Sequence, residues 1–199
     1  MKNELVFTDN QVTKYFQSEL CFNRELLIYK IGLPYTPKLI DYSPENDDRY
    51  WICIERVYGQ HPQPDCLQDF VLMLSTLIYF HRDLKALRLF FSHADTSPKN
   101  FILAQDKCYL IDFAEISLRQ TEYDIVAFFL FAVDFLSIED FSKLLDYYEK
   151  HFSAFYRFDY NIILLAVAEF DQRRAMYKKT NIISVDKQKK REMIGRLWA

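Results

Sequence analysis

The sequence predicts an α+β protein in which a small β-rich part comes first and a larger helical part follows. Three observations predict this: β-type runs cluster before residue 58, helical periodicity dominates after it, and the 199-residue chain contains only three glycines. Few loops can then use the left-handed backbone that glycine tolerates, which favours helices. We expect the β-rich part to span residues 1–58 and the helical part residues 59–199, within one domain.

The β-rich part should contain two strands, a helix and two further strands. The stretch ELVFTDNQVTKYF is typical of a hairpin that turns at Asp9-Asn10. A helix should follow over about 19–31, because Gly32 and Pro34 then supply a stop. PKLIDYS and YWICIERV are the two remaining strands, separated by the turn residues PENDD.

The helical part should begin after the proline-containing connector QHPQPD. Its first helix covers about 67–81, and a hairpin of FILA and CYLID follows around a turn at residues 105–107. The rest of the chain predicts helices over roughly 122–135, 138–156, 159–177 and from about 184.

Composition excludes several classes of protein. Apolar residues make up 50% and charged residues 27% of the chain, as in an ordinary soluble domain. The four cysteines are scattered singly, which argues against a zinc site and against a disulfide framework. The longest apolar run, 125–136, contains Asp134 and is too short to span a bilayer. The opening MKNELVF turns charged too early for a secretory signal, so we expect a cytoplasmic protein.

Charge is distributed unevenly along the chain. The net charge is −3, yet residues 172–196 carry nine Lys/Arg against two acidic residues. Such a basic segment could contact an anionic membrane, a lipid head group or nucleic acid, although a solvated helix face is the simpler interpretation. We expect no nucleic-acid partner.

Two stretches could each begin a phosphotransferase catalytic loop, in which an Asp is followed five residues later by a metal-binding Asn. The first is HRDLK, residues 81–85. Arg88 stands five residues after Asp83, and a cation there would repel Mg²⁺. No glycine or proline turns the chain at this point, so the stretch should continue the preceding helix.

The second stretch, HADTSPKN at 93–100, has the required spacing. Asn100 lies five residues after Asp95, and the hairpin that follows leads to Asp112 in LIDFAE. Phosphoryl transfer needs a carboxylate to orient the attacking hydroxyl, an Asn and a second Asp for Mg²⁺, and a Lys on the phosphates. We therefore interpret Asp95 as the catalytic carboxylate and Asn100 and Asp112 as metal ligands.

With these residues, the chain resembles the protein-kinase-like superfamily, and most closely its small-molecule branch. That branch includes aminoglycoside phosphotransferases, choline kinases and lipopolysaccharide-core sugar kinases. Its loop commonly follows a helix ending in Leu-His, and LIYFH makes His81 similar to that structural histidine. Asp124 in TEYDIVAFF resembles the buried aspartate at a helix start in the same family. The resemblance covers about residues 12–131 and implies a two-lobed fold with a truncated sheet lobe and a helical lobe.

The resemblance also assigns residues on the nucleotide side. Lys14 in VTKYF is similar to the phosphate-binding lysine, and Glu25 in NRELLIYKIGLP resembles its partner, with Glu19 as the alternative. ICIERVYGQ resembles the hinge, where backbone groups of about Glu55 to Val57 would meet adenine. The implied cofactors are ATP and Mg²⁺.

The chain departs from the family pattern at four points. No glycine precedes Gly32, so a glycine-rich phosphate loop cannot exist. Ala114 stands where the D-F-G motif has glycine, and Ser97 where protein kinases carry lysine, with Lys99 near enough to offer a charge. Ala94 replaces the arginine with which protein kinases read a phosphorylated activation loop.

The chain is also too short after Asp112 for an activation segment. Only eleven residues separate Asp112 from Asp124, which disfavours a peptide substrate. The expected function is therefore ATP- and Mg²⁺-dependent phosphorylation of a hydroxyl on a small molecule or glycan. The alternative is a pseudokinase that binds nucleotide or acts as a scaffold without turnover.

Overall fold

The computed structural model describes residues 3–44, 47–105, 107–177 and 184–198. Its first part contains strands β1 (Glu4–Phe7) and β2 (Gln11–Phe16), helix α1 (Glu19–Ile31), and strands β3 (Leu39–Tyr42) and β4 (Tyr50–Glu55). The four strands form one antiparallel sheet in the order β1-β2-β4-β3. Lys14 lies on β2 opposite Leu5 and Ile52, in the interior of this sheet. Ser18 caps α1 through Cys21 N–H, and Gly32 ends it in the left-handed conformation.

The second part begins with helix α2 (Leu67–Ala86) and strand β5 (Phe91–Ser92). A 3₁₀ turn (Pro98–Asn100), the hairpin β6 (Phe101–Ala104) and β7 (Lys107–Leu110), and strand β8 (Ser117–Leu118) come next. Four helices complete the fold: α3 (Glu122–Phe135), α4 (Ile138–Phe152), α5 (Tyr160–Tyr177) and α6 (Val185–Met193). No helix among the described residues is both long and apolar enough to cross a membrane.

The architecture confirms the predicted two-lobed α+β fold with a small sheet lobe and a larger helical lobe. Helix α2 continues through residues 81–85 to Ala86, which confirms the prediction for the HRDLK stretch, because Leu84 extends its buried face and no breaker intervenes. Helix α4 ends at Phe152, and a 3₁₀ turn covers the residues to Phe155. The exact lobe boundary at residues 58/59 stays a prediction.

Phe113 joins the two lobes at their centre. Its fully buried ring stacks on Phe80 of α2 and meets Tyr29 of α1 edge-on, with centroid distances of 5.6 and 5.4 Å. The ring of His93 packs against it at 5.1 Å. Since Phe113 directly follows Asp112, this packing fixes the backbone that carries the carboxylate.

Gly59 lies where the connector from the sheet passes the β6 strand. The backbones of Gln60 and Leu103 exchange two hydrogen bonds there, at 3.0 and 2.8 Å. A Cβ on Gly59 would stand 2.2 Å from the Leu103 carbonyl oxygen, so the connector can approach β6 only with glycine.

Candidate active site

Asp124, at the start of α3, organises the loop that carries Asp95. Its carboxylate is fully buried and accepts hydrogen bonds from the Ser92 hydroxyl (2.6 Å) and from the backbone N–H groups of His93 and Ala94. His81 Nε2 lies 2.9 Å from the same carboxylate. The buried side chain of Asp124 therefore holds the last residue of β5 and the two residues that follow it, where the backbone turns toward Asp95.

The protonation state of Asp124 follows from these contacts. Burial alone would raise the pKa of Asp124, but the hydrogen bonds and the proximity of His81 lower that pKa to about 2. His81 in turn contacts the hydroxyl of Tyr156 at 2.9 Å and is 4% exposed, so it lies inside the fold rather than in an open site.

Asp95 lies at the end of this loop with its carboxylate partly open to solvent. Its Oδ2 is 3.0 Å from Lys99 Nζ, and its Oδ1 accepts from the Ser97 N–H at 3.3 Å. The Asn100 side chain donates to the Asp95 carbonyl at 2.8 Å. Burial would raise the pKa of Asp95, yet Lys99 and the other partners lower it, so this carboxylate is ionised at neutral pH and can accept a further hydrogen bond from a hydroxyl.

Lys14, Glu25 and Asp112 form a cluster between the lobes. Lys14 Nζ lies 2.7 Å from Glu25 Oε2 and 2.6 Å from Asp112 Oδ1. Burial would lower the pKa of Lys14, but the two carboxylates outweigh it and raise that pKa. Burial raises the pKa of Glu25 to about 7, because Glu25 is 2% exposed and a second carboxylate stands nearby. Glu19 lies elsewhere, at the exposed start of α1.

Backbone contacts fix Ile111, the residue before Asp112, next to Asn100. Ile111 N–H donates to the Asn100 carbonyl at 2.9 Å, and His93 Nε2 lies 3.0 Å from the Ile111 carbonyl. Asp112 itself has a φ of 63°, in the left-handed region that residues other than glycine rarely adopt. Ala114 is not among the described residues with positive φ, so alanine fits where the family motif has glycine.

The side-chain oxygens of Asn100 and Asp112 suit a hard divalent cation. The Asn100 amide nitrogen is used by the Asp95 carbonyl, so its side-chain oxygen is the group available to a metal. Asp112 adds a carboxylate that is 44% exposed. Amide and carboxylate oxygens are the ligands that Mg²⁺ accepts, usually together with water and phosphate oxygens.

The proposed adenine contacts lie at the end of β4. The Glu55 N–H donates to the Lys38 carbonyl and the Arg56 N–H to the Asn10 carbonyl, each at 2.9 Å. The Glu55 side chain accepts from the Lys38 N–H at 3.1 Å. These N–H groups are already bonded, which leaves the backbone around Val57 as the part of the predicted hinge that could meet a base.

A cavity of about 560 Å³ opens beside Asp95. Helices α3 and α5 form most of its walls. Its lining combines apolar and aromatic side chains with four cations and four carboxylates: Ala94, Asp95, Ser97, Lys99, Glu115, Arg119, Tyr123, Ala127, Phe131, Asp134, Ala166, Glu169, Phe170, Arg173, Arg174 and Met176. No motif in the sequence identified these residues as a pocket.

The charged groups of this cavity are paired with one another. Glu169 binds Arg119 at 2.9 Å and Arg173 at 3.0 Å, while Asp134 binds Arg174 at 2.8 Å. Only the four-residue spacing of Glu169 and Arg173 on one helix face was visible in the sequence. Arg119 could not be placed from sequence because its partner lies 50 residues away.

The basic segment 172–196 is largely engaged by the protein itself. Lys178 and Lys179 lie outside the described residues. Six of its other seven cations have a hydrogen-bonded or ionic partner in the fold, namely Arg173, Arg174, Lys187, Lys190, Arg191 and Arg196, whereas Lys189 is exposed. The described part thus matches a structural use of these charges more closely than a free basic face.

Comparisons with known proteins give a fold-level match. No family model and no curated protein sequence matches the chain. Two solved structures of WbdD, described in one of them as a bifunctional kinase-methyltransferase, match 98% of the chain at TM-scores of 0.54 and 0.53 with 15% and 16% identity. The chain spans about half of the WbdD chain, 47% and 48% in the two structures. The Rad53 kinase domain matches 61% of the chain, with a TM-score of 0.43, 16% identity and 51% of its own chain covered.

The match to WbdD extends over almost the whole described chain, including the helices after residue 131 that the sequence resemblance did not cover. The protein therefore has a protein-kinase-like fold. At this level of identity the likeness concerns the fold, and activity has to be argued from the site.

Proposed function

We propose that the protein is an ATP- and Mg²⁺-dependent phosphotransferase that acts on a hydroxyl of a small molecule or glycan, in the cytoplasm. One observation carries the proposal: Lys14 reaches across the lobes to Asp112, while Asp95, on the adjoining loop, faces a cavity. A phosphate-binding amine, a metal-binding corner and a base beside an acceptor pocket are the groups that phosphoryl transfer requires. The kinase-methyltransferase described for the similar WbdD structure agrees with this reading.

The residues would share the work as follows. Asp95 accepts a hydrogen bond from the acceptor hydroxyl and takes its proton late in the step. The hydroxyl oxygen forms a bond to the γ-phosphorus as the bridging β–γ P–O bond breaks, and ADP leaves. Lys14, held by Glu25, neutralises phosphate oxygens. Asn100 and Asp112 would hold Mg²⁺, which supplies charge neutralisation for the phosphates when bound.

Lys99 can add a second cation next to the transferring group. Its ammonium lies 3.0 Å from Asp95 and its side chain is 68% exposed, so it can shift toward a phosphate while remaining near the base. The missing glycine-rich loop leaves the phosphates with little backbone cover, which makes side-chain cations of this kind more important.

The cavity favours an acceptor that is neutral or anionic. Glu115, Asp134 and Glu169 are each bound to an arginine of the same wall, so they are not free to pair with a substrate ammonium. Aromatic rings of Tyr123 and Phe170 line the same space and offer apolar faces to a ring. We therefore expect sugars and other polyols to be better acceptors than polycationic molecules.

A pseudokinase is the second candidate. The β1–β2 connection is only three residues long and exposed, so this connection cannot cover a nucleotide as a glycine-rich loop does. This favours weak nucleotide binding and a scaffolding role. The retained Lys14, Asp95, Asn100 and Asp112 favour turnover instead.

Titration calorimetry combined with a turnover screen distinguishes these candidates. Wild-type protein should bind Mg-ATP and should transfer phosphate to at least one member of a panel of sugars, amino alcohols and aminoglycosides. Asp95→Asn should abolish transfer while Mg-ATP binding stays within a few-fold of wild type. Binding without turnover across the panel would favour the pseudokinase, and absence of Mg-nucleotide binding would refute a nucleotide-dependent function altogether.

A further inference from the structure

Ala94, the residue before Asp95, has a backbone conformation that alanine avoids. Its φ is 70°, in the left-handed region, where a Cβ crowds the neighbouring carbonyl oxygen. A non-glycine residue stays in this conformation only where surrounding groups hold it. The direction in which Asp95 leaves the loop depends on this residue, so the groups that hold Ala94 matter for the site.

Both polar groups of Ala94 are held by side chains. Its N–H donates to Asp124 at 3.0 Å, and its carbonyl accepts from Arg173 Nη1 at 2.9 Å. Asp124 comes from α3 and Arg173 from α5, so the residue is fixed from two helices at once. Arg173 is 79 residues away in sequence, in the part of the chain where no motif had been found.

The same arginine belongs to a closed ring of polar contacts. Arg173 Nη2 binds Glu169 at 3.0 Å, and Glu169 binds Arg119 at 2.9 Å. Arg119 Nε then donates to the Ser92 hydroxyl at 3.0 Å. Ser92 donates to Asp124, which returns the ring to Ala94. Each link orients the next, so removal of one member loosens the others.

The ring also borders the cavity beside Asp95, since Ala94, Arg119, Glu169 and Arg173 all line it. We infer that Arg173 is a positioning residue that fixes the Ala94–Asp95 backbone through the Ala94 carbonyl and thereby couples the acceptor cavity to the orientation of Asp95. The effect on turnover rests on the proposed function, whereas the effect on the loop does not. The simpler alternative is an ordinary helix ion pair between Glu169 and Arg173.

Hydrogen exchange followed by mass spectrometry tests the loop directly and needs no activity. In Arg173→Ala, the amides of residues 92–100 should exchange several-fold faster than in wild type, because the Ala94 carbonyl loses its partner. Arg174→Ala is the matched control: it removes the next arginine of α5, which lines the same cavity but binds Asp134. Exchange in this loop should be unchanged in the control.

Arg173→Lys provides a second variant that keeps a donor but lacks the fork that joins Ala94 to Glu169. We expect intermediate exchange, and this variant decides the matter if Arg173→Ala does not fold. Equal exchange of residues 92–100 in wild type, Arg173→Ala and Arg173→Lys would overturn the inference. So would equal acceleration in the Arg173 and Arg174 variants.

Turnover separates positioning from a merely structural role. With Mg-ATP and the acceptor identified in the screen, or with water as acceptor, Arg173→Ala should lower kcat by about 10- to 100-fold and leave KM for ATP within about 2-fold. Arg173→Lys should recover part of kcat. Arg191→Gln is a control, because Arg191 on α6 forms a different ion pair with α5, to Asp171. This variant should leave kcat and KM for ATP unchanged. A matching loss in Arg191→Gln would overturn the inference, whereas absence of turnover in wild type would instead refute the proposed function.

Discussion

Lys14 Nζ lies 2.6 Å from Asp112 Oδ1, although 98 residues separate them in the sequence. The contact joins a strand of the sheet lobe to the hairpin end of the helical lobe. Glu25 completes the cluster from α1 at 2.7 Å. The cluster thus places one cation between two carboxylates, at the place where the proposed metal-bound phosphate would enter.

Lys14→Met tests whether this amine binds phosphate. The change keeps most of the side-chain volume but removes the charge, so we expect Mg-nucleotide affinity to fall by about 10-fold or more. Titration calorimetry with Mg-ADP and Mg-ATP measures it. Lys30→Met is the control, because Lys30 lies in the last turn of α1, over the ring of Tyr42 and away from the cluster. Equal affinities in both variants would argue against a phosphate role for Lys14.

Asp83→Asn tests the first of the two H-x-D stretches. Asp83 accepts a hydrogen bond from the Tyr35 hydroxyl and pairs with Arg82 at 2.9 Å, so its role is to join α2 to the segment after α1. Asparagine can still accept from Tyr35. We expect a loss of about 0.5–1.5 kcal/mol in unfolding free energy and no change in turnover, measured by urea denaturation and the phosphotransfer assay. Loss of turnover in a folded Asp83→Asn protein would return this stretch to consideration.

The sequence predicted the parts of the fold that depend on local patterns. The β1–β2 hairpin, α1 and the β6–β7 hairpin carry their own turn, cap and periodicity signals, and they lie where those signals indicated. The pairing of β5 with β8 had no such signal, because each strand is only two residues long. The continuation of α2 through residues 81–85 could be predicted, because no glycine or proline breaks the chain there and Leu84 continues its apolar face.

The same distinction between local patterns and tertiary contacts applies to the residues of the candidate site. Asp95, Asn100 and Asp112 share one loop and its hairpin, so fixed spacing was sufficient to group them. Arg119 and Arg173 acquire their meaning only from tertiary contacts with Ser92 and Ala94. Single-sequence patterns hold no information on such contacts, since an arginine on a helix is usually a solvated surface residue.

Acid denaturation should reveal the buried groups that hold the loop. Burial lowers the pKa of His93 below 6.5, so His93 should reduce stability as pH falls below about 6.5, because unfolded chains take up the proton first. Glu25, whose pKa is raised to about 7, acts in the opposite direction over this range, so the His93 stage should be measured in a Glu25→Gln background. The pKa of Asp124 is lowered to about 2, so its contribution is complete above about 3.8 and is lost as pH falls toward 2. Urea denaturation at a series of pH values measures both stages.

Asp124→Asn should reduce the lower stage, to which Asp95 and Asp134 also contribute through their lowered pKa values, and should retain the upper stage. It should also cost about 3–5 kcal/mol near neutral pH, because the carboxylate is fully buried and binds the loop at several points. Glu139→Gln, at an 80%-exposed carboxylate on α4, is the control and should stay within about 0.5 kcal/mol of wild type. A decline between pH 4 and 2 in Asp124→Asn that is as large as in wild type would assign that stage to other carboxylates.

Substitution of Lys190 tests whether the basic segment 172–196 has a structural role. Its ammonium is buried and donates to the Val133 and Leu136 carbonyls at 2.6 Å each, at the end of α3. Those carbonyls lack partners within the helix, and a cation also suits the negative end of the helix dipole. Lys190→Met should therefore cost about 1–3 kcal/mol in unfolding free energy by urea denaturation. Lys189→Met, one residue away and exposed, should change it by less than about 0.5 kcal/mol. Equal small effects would show that the Lys190 charge does not serve the end of α3.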